Sequence, residues 1–455
     1  MLNKNAIKEV LDISLPAVGE STLYTFMSIF DTMMIGKYGG SIAVSVVGIS
    51  NEILNTCVNI FIVVGISIGI TSFVSRSIGA KEKSSAQEYA SIGFFLGILI
   101  SIFLCYILFK FSRNILFLAG AKGKILDLSN TFTKITVIAI FFNMITNVIN
   151  SILRGYGNTY IPFLIAAFIT IVKLFLDVIL IFGIIVPELG IMGAAIASIC
   201  SQAAGFIAVL IYFIKESHVK IKLRYIFGLK ISKIRNILLL SIPSSMEDAA
   251  FGLSRLLCTF IIMHSGNTAF ASNQIANTIE SISFMPGMGF GVAATTLVGM
   301  KVGEKNYKKA REYTYLCAIG AVLMMGFFSA VFLIMPGILV NLFIDEEEKK
   351  IIYLASLCLF IGAFEQPSIA ISTVFSSALK GAGDAKTPLI VSLMTSWIIR
   401  LPLIFYFIHF LRFSVIYVWW VTVIQWGVDA ILMFILFEKK LNSRNKLLVS
   451  KFIRY

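Results

Sequence analysis

Long apolar stretches alternate with short polar ones along the whole chain. Each apolar stretch contains roughly 20 residues, which is the length that a helix needs to cross the hydrocarbon core of a bilayer. Twelve such stretches can be counted, at 12–35, 50–74, 89–109, 129–152, 161–185, 190–214, 237–262, 272–298, 314–341, 351–378, 388–408 and 415–437. Backbone groups inside a bilayer must find their hydrogen-bond partners within the protein, so each stretch predicts a transmembrane helix. The pattern therefore predicts an all-α polytopic membrane protein with twelve transmembrane helices.

Three motifs occur twice, in the same order and at nearly the same spacing. The pairs are Ser14–Glu20 with Ser241–Glu247, Gly65–Ala90 with Gly289–Thr314, and Leu153–Asn158 with Leu379–Asp384. An offset of about 225 residues indicates a duplicated unit of six helices. Because the number of spans per unit is even, both halves enter the membrane in the same direction. We predict two six-helix lobes related by a pseudo-twofold axis along the membrane normal, with a central cleft between them.

The repeat also predicts the domain boundaries. An N-terminal six-helix lobe covers 1–214 and a C-terminal six-helix lobe covers 237–438. A basic cytoplasmic linker, 215–236, joins the lobes, and a basic cytoplasmic tail, 439–455, ends the chain. Most of the 38 Lys and Arg residues fall in this linker, this tail and the other segments on the same side. By the positive-inside rule, both termini are predicted to be cytoplasmic, in a multi-pass protein of the cell (inner or plasma) membrane.

Composition and missing motifs narrow the class of function. The net charge of +14 is explained by the basic residues on the cytoplasmic side and does not indicate nucleic-acid binding. The longest segment outside the predicted spans, 215–236, is too short for a nucleic-acid-binding domain. The stretch Gly381–Thr387 only superficially resembles a phosphate-binding loop. Its twin in the first repeat indicates a helix–loop–helix turn instead, with glycines for the reversal and Asn158 or Asp384 as the cap. The sequence predicts no enzyme, cofactor or metal site, so an ion gradient is the expected energy source.

Charged side chains inside the predicted spans are the candidates for function, because an acid at the bilayer centre costs roughly 2.5–3.5 kcal/mol on insertion scales. Lys173 and Asp177 are four residues apart, which places them on one helix face. Counting about 1.5 Å of rise per residue, Asp31 of the first span reaches a similar depth, in the outer half of the first lobe. Two acids and a lysine predict a proton or cation site. The alternative is a structural Lys173–Asp177 pair with Asp31 facing outer water.

Further acids lie in both predicted lobes. Glu20 and Glu247 occupy the same position of the repeat, four residues after a proline. We predict that both face the central cleft; the alternative is that each satisfies backbone groups freed by its proline. Glu280 and Glu365 reach mid-depth in the second lobe. For Glu365, stabilisation of a proline kink is a stronger alternative to a functional role than for the other acids. Arg400 is interpreted as a structural counter-charge of Glu247 and Glu280.

Several motifs together resemble those of a known transporter family. They are the glycine turns Leu153–Pro162 and Leu379–Pro388, the segments Thr71–Ala80 and Ile282–Gly299, and Asp31–Gly36. Over nearly its whole length the chain resembles the multidrug and toxic compound extrusion (MATE) family, in its bacterial DNA-damage-inducible (DinF-like) branch. The resemblance implies a cation-coupled antiporter that expels amphipathic, often cationic organic molecules by rocking of two lobes. It also implies that Asp31 and Asp177 bind the coupling ion and that Ser198 supplies a hydroxyl ligand.

One position departs from the family pattern. Where the family commonly has Asn, one turn before the acid of the fifth span, this chain has Lys173. An ammonium group there would compete with Na⁺ for the same carboxylates. H⁺ coupling, with the lysine as a built-in cation, is therefore favoured over Na⁺ coupling. Glu247 resembles a second-lobe acid found in part of the family.

The expected substrates are small organic compounds, exported by a monomer in exchange for H⁺ or Na⁺. Met285, Met288 and Phe290 are candidate contacts, because soft side chains beside flexible glycines suit a promiscuous apolar pocket. Plain packing is the alternative for these residues. The rival function is a lipid-precursor flippase of the same broad superfamily. A flippase for polyanionic headgroups would be expected to line its cleft with Arg or Lys, whereas acids predominate here.

Overall fold

The fold is known from a computed structural model that describes residues 4–183, 187–215, 220–228, 230–263, 265–344 and 348–452. Within these ranges all regular structure is helical. The predicted all-α class is therefore confirmed. Parts of the predicted linker, 215–236, and of the predicted tail, 439–455, lie outside the described residues.

The helices of the described ranges follow one another with short connections. The α-helices are α1 (Lys4–Val58), α2 (Ser67–Gly79), α3 (Lys83–Leu118), α4 (Gly123–Gly155), α5 (Tyr160–Phe182), α6 (Gly190–Lys215), α7 (Leu223–Phe227), α8 (Ile231–Met263), α9 (Asn267–Gly303), α10 (Tyr307–Ile334), α11 (Pro336–Asn341), α12 (Lys349–Gly362), α13 (Gln366–Gly381), α14 (Lys386–Leu393), α15 (Leu401–Phe405) and α16 (Ile416–Phe452). Three wider π-helical segments interrupt them: π1 (Asn59–Ile66), π2 (Met394–Arg400) and π3 (Tyr406–Phe410).

Nine helical stretches of the described chain are long and apolar enough to cross a membrane, and the bent pair α12–α13 makes a tenth. The first part of α1 and the whole of α8 are also long enough, but their sequences are more polar. At Gly40 (φ 58°, ψ −151°) α1 breaks into two helices, because glycine adopts positive φ readily. The second of these continues through π1 into α2 as one span. Within the described residues, ten of the twelve predicted spans therefore meet this test of length and composition, and the first and seventh predicted spans are more polar helices.

The chain forms two compact units. The N-unit is Gly19–Ile242, and the C-unit is Met1–Val18 together with Pro243–Tyr455. The chain passes from one unit to the other within α1 and within α8, at the two copies of the same proline-containing motif. The first helix of each sequence repeat therefore begins in one unit and continues in the other.

The two glycine turns have the same structure in both repeats. Gly157 and Gly383 have φ values of 86° and 90°, which glycine adopts without strain. The side chains of Asn158 and Asp384 each accept a hydrogen bond, 3.1 Å long, from the backbone amide three residues later. The predicted turn and cap are therefore confirmed in both repeats.

Asp384 also accepts hydrogen bonds from Lys440 and from the hydroxyl of Thr387. Burial alone would raise the pKa of Asp384, but these bonds outweigh it and hold the pKa below its usual range. A carboxyl with a lowered pKa stabilises the fold above its unfolded-state pKa, and this stabilisation is lost as the pH falls through the folded-state pKa.

We therefore expect Asp384→Asn, which keeps the capping oxygen, to cost about 0.5–1 kcal/mol at neutral pH, allowing for the partly exposed Lys440. The Tm of the purified protein in detergent should fall in the variant at neutral pH, and the difference from the wild type should close in acid. Asn158→Ala, which removes the other cap, is the control and should lower Tm equally at every pH. A Tm difference for Asp384→Asn that does not change with pH would contradict this account.

Candidate ion-coupling site

An ion triad lies in the N-unit, between α1 and α5. The Nζ atom of Lys173 lies 2.8 Å from Oδ1 of Asp31 and 2.8 Å from Oδ2 of Asp177. The exposed fractions of the lysine and of Asp177 are 4% and 0%, and that of Asp31 is 14%. We call these three residues the N-unit triad. The structure thus brings together the three charged residues that the sequence predicted as one site.

The sequence of α5 explains why two charges point inward. The residues buried along this helix include Ile165, Ile169 and Ile181, which share the fourfold spacing of Lys173 and Asp177. Residues four apart lie on the same helix face. The two charged residues therefore occupy the middle of a buried apolar stripe, where each needs a partner inside the protein.

The N-unit triad has one positive charge and two acids. Asp31 and Asp177 lie within hydrogen-bonding reach of each other as well as of the lysine. Oδ1 of Asp177 has no donor among the described residues. Two carboxylates this close repel each other unless a proton is shared between them. The geometry therefore suits the binding of one proton beside the ammonium group, which takes the net charge of the triad from negative to zero.

Ser198 stands on α6, and its hydroxyl donates to the carbonyl of Ala194 at 2.9 Å. The only hydrogen of this hydroxyl is therefore used within α6. The described part of the chain contains no cluster of three or more His, Cys, Asp or Glu residues that could hold a metal ion. The N-unit triad is an acid–ammonium site in this structure, and the role of Ser198 as a ligand stays a prediction.

The two glutamates of the repeat form matching ion pairs. Arg154 lies 2.6 Å from Glu20 in the N-unit, and Lys380 lies 2.9 Å from Glu247 in the C-unit. Ser376, one turn before Lys380, donates a further hydrogen bond to Glu247 at 3.2 Å. Each glutamate thus has a basic partner within its own unit. The predicted exposure of both glutamates to a cleft stays a prediction.

The partner of Glu247 is a residue that the sequence analysis did not choose. Arg400 was interpreted as its counter-charge, but the ion pair is made by Lys380. The reason is the repeat, since Lys380 occupies the position of Arg154 in the twin glycine turn. No role was predicted for either basic residue. Matching the acids and bases of the two repeats would have identified both pairs.

Glu280 and Glu365 meet where α12 and α13 bend by 50°. The side-chain amide of Gln366 donates to Glu280 at 3.0 Å and to the carbonyl of Gly362 at 3.2 Å. This amide therefore satisfies a carbonyl at the bend, as expected for a kink stabilised by side chains. Arg400 acts electrostatically on both acids. The interpretation of Arg400 as a counter-charge therefore holds for Glu280, whereas the counter-charge of Glu247 is Lys380.

The three apolar substrate candidates lie in different surroundings. Met288 is 47% exposed and Met285 is half-buried. Phe290 is fully buried in the hydrophobic core of the C-unit, and its ring lies so close to Gly320 that a side chain there would overlap it. Phe290 therefore has a packing role in this structure, because the core surrounds its ring and leaves no surface for a substrate.

Comparison with known proteins identifies the family. The MatE family profile matches residues 16–179 and 243–406, which are the two repeats. The probable multidrug resistance protein NorM of Thermotoga maritima is 28% identical over 90% of this chain and 88% of its own length. The multidrug export protein MepA of Staphylococcus aureus is 23% identical over 88% of this chain and 86% of its own length.

Solved structures share the fold. A crystal structure of MATE in complex with MaL6 has a TM-score of 0.90 at 20% identity, and covers 97% of both chains. A MOP superfamily transporter of Pyrococcus furiosus, described as having a binding pocket of reverse polarity, has a TM-score of 0.89 at 20% identity, again with 97% of both chains covered. The chain belongs to the MatE family, the multidrug and toxic compound extrusion proteins, whose members are membrane transporters and not enzymes.

Proposed function

We propose that this protein is an antiporter that exports amphipathic, cationic organic compounds across the cell membrane in exchange for inward movement of H⁺. The observation that supports H⁺ most strongly is the ammonium group of Lys173, held 2.8 Å from both Asp31 and Asp177. The relatives named for multidrug resistance and multidrug export support the export of organic compounds.

The ammonium of Lys173 argues against Na⁺ as the coupling ion. It already occupies the space between the two carboxylates, where a Na⁺ ion would need several oxygen ligands. A second cation near this ammonium would meet like-charge repulsion, which is strong at the low effective dielectric of a buried site. A proton needs no coordination sphere and can bind directly to Asp31 or Asp177. We therefore assign the coupling ion to H⁺ and its binding site to the N-unit triad.

Protonation of the triad changes how strongly Lys173 is held. With both acids ionised, the ammonium is shared between Asp31 and Asp177; with one acid neutral, it keeps a single strong partner. A ligand shifts a conformational equilibrium only as far as it binds one state more tightly than the other. The contacts between α1 and α5 would differ between the protonated and the deprotonated triad. We propose that this difference couples the binding of H⁺ to rocking of the lobes.

Several finer features belong to the same proposal. Glu20, Glu247 and Glu280 are the candidate contacts for cationic substrates, with Met285 and Met288 as candidate apolar contacts. The positive-inside distribution of Lys and Arg supports cytoplasmic termini in the cell membrane. We propose that the chain works as a monomer, because each unit has its own hydrophobic cores and ion pairs.

Cells that produce the chain should accumulate less of a fluorescent organic cation than cells without it. Dissipating the proton gradient with an ionophore should remove the difference, and an anionic dye of similar size should show none. Equal accumulation of the cation in both cell types would overturn the proposal. Movement of a polyanionic lipid analogue across vesicles, with no export of the cation, would instead support the flippase alternative.

A further inference from the structure

A row of buried polar side chains lies in the C-unit, where α13, π2 and α16 meet. The hydroxyl of Ser372 donates to one carboxylate oxygen of Asp429, and the hydroxyl of Thr395 donates to the other at 2.7 Å. Asp429 is only 3% exposed. The row, which we call the polar seam, consists of Ser372 and Ser376 on α13, Thr395 on π2, and Thr422, Gln425 and Asp429 on α16.

Helical spacing explains why these side chains line up. Thr422, Gln425 and Asp429 follow each other at intervals of three and four residues, so they share one face of α16. Ser372 and Ser376 are four apart and share one face of α13. The wider π-helical turn of π2 contributes Thr395, and such turns occur frequently at functional sites.

The polar seam extends from one pair of acids to another acid. At one end, Thr422 lies close to Glu365, which in turn meets Glu280, and the hydroxyl of Thr422 donates to the backbone carbonyl of Trp419 at 2.8 Å. At the other end, Ser376 donates to Glu247, the partner of Lys380. Asp429 lies between these ends. The members of the polar seam therefore lie on both sides of Asp429 within the C-unit.

Gln425 is the unusual member of the polar seam. Its side chain is 0% exposed, and neither its amide nitrogen nor its amide oxygen has a hydrogen-bond partner among the described residues. A buried amide with both ends unpaired is unfavourable, and such groups are rare in folded proteins. One turn from Asp429, Gln425 offers both a donor and an acceptor, which is what a passing proton carrier such as water requires.

We propose that Asp429 is a second proton-binding site, in the C-unit, and that the polar seam carries protons to and from it. In the ionised form both hydroxyls donate to the carboxylate. When Asp429 takes up one proton, its new O–H donates to Ser372 or Thr395, whose hydroxyl turns to accept. The same proton leaves when the carboxylate forms again. The inference rests on the proposed H⁺ coupling and adds a second titrating acid to it.

Few charged groups lie near Asp429, and its direct partners are the hydroxyls of Ser372 and Thr395. Lys380 of α13 and Glu247 of α8 are the charged groups that interact with Asp429 at a distance. Arg400 of π2 faces Glu280 and Glu365, and Arg311 of α10 pairs with Glu438. Asp429 thus has one basic and one acidic group near it, and neither forms a direct ion pair with it.

Proton release from the purified protein, measured with a pH indicator over the physiological pH range, tests this proposal. Wild-type protein should release about one proton more per chain than Asp429→Asn over the same interval. Asp127→Asn is the control, because it makes the same chemical change at an exposed carboxyl that pairs with Arg113. Asp429→Glu should restore the lost proton. Release by Asp429→Asn equal to that of the wild type would overturn the proposal.

Infrared difference spectra provide an independent test. Lowering the pH should produce a carboxylic-acid C=O band that is absent from Asp429→Asn and shifted in Ser372→Ala, which removes one of the two hydroxyl donors. If Asp429→Asn does not fold, Ser372→Ala and Thr395→Val decide the matter: unchanged bands in both variants would overturn the proposal. Wild-type protein that lacks proton release altogether would instead contradict the H⁺ coupling on which the inference rests.

Discussion

Asp31→Asn and Asp177→Asn should each reduce proton-driven export of a cationic dye by roughly tenfold or more, because an acid buried in a membrane protein is retained for its charge chemistry. Asparagine keeps the size of the side chain but cannot bind a proton. Each variant also leaves Lys173 with one carboxylate partner, so the buried ammonium remains compensated. Both variants should therefore insert into the membrane at wild-type levels, which immunodetection in membrane fractions will check.

The matched control is Asp127→Asn, which makes the same chemical change at an exposed ion pair with Arg113. This control should export the dye at the wild-type rate. If Asp31→Asn and Asp177→Asn both export the dye at the wild-type rate, the N-unit triad is not the coupling site. Export rates are compared per inserted molecule, so a change in protein level does not affect the comparison.

Lys173→Asn should change the coupling ion of the transporter. The substitution removes the ammonium from between Asp31 and Asp177 and supplies an amide oxygen, so the site gains both space and an oxygen ligand for Na⁺. We expect dye export by this variant to require Na⁺, whereas the unmodified protein ignores it. Vesicle transport measured with and without Na⁺, at a fixed pH gradient, will show the difference.

Two further variants separate charge from packing at this position. Lys173→Arg retains a cation and should remain insensitive to Na⁺. Lys173→Met leaves two buried acids without a counter-charge, and should destabilise the N-unit by about 3–5 kcal/mol, seen as a lower Tm in detergent. Strict Na⁺ dependence of the unmodified protein, or Na⁺-independent export by Lys173→Asn, would contradict the role assigned to the lysine.

The hydrophobic pattern predicted the helical fold because apolar runs of bilayer length have few alternative structures. The i,i+4 spacing of Lys173 and Asp177 likewise predicted their contact, and equal depth was enough to place Asp31 beside them. These predictions succeeded because they depend on local helix geometry. The transfer of chain between the units within α1 and α8 depends on tertiary packing, which the hydrophobic pattern does not contain.

The C-unit shows more clearly what the sequence leaves out. Asp429 was overlooked although it lies within the twelfth predicted span. Its partners, Ser372 and Thr395, come from two other segments and are brought together only by packing. No role was predicted for Lys380, although it occupies the same position of the repeat as Arg154, and both residues form an ion pair with the glutamate of their repeat.

The most direct test of proton coupling is dye transport by the purified, unmodified protein in proteoliposomes under one gradient at a time. The account predicts that a pH gradient, acid inside, drives uptake of the cationic dye in Na⁺-free buffer. It also predicts that a Na⁺ gradient at equal pH on both sides drives none. Uptake driven by the Na⁺ gradient, with none driven by the pH gradient, would contradict the assignment of H⁺ to the Asp31–Lys173–Asp177 site.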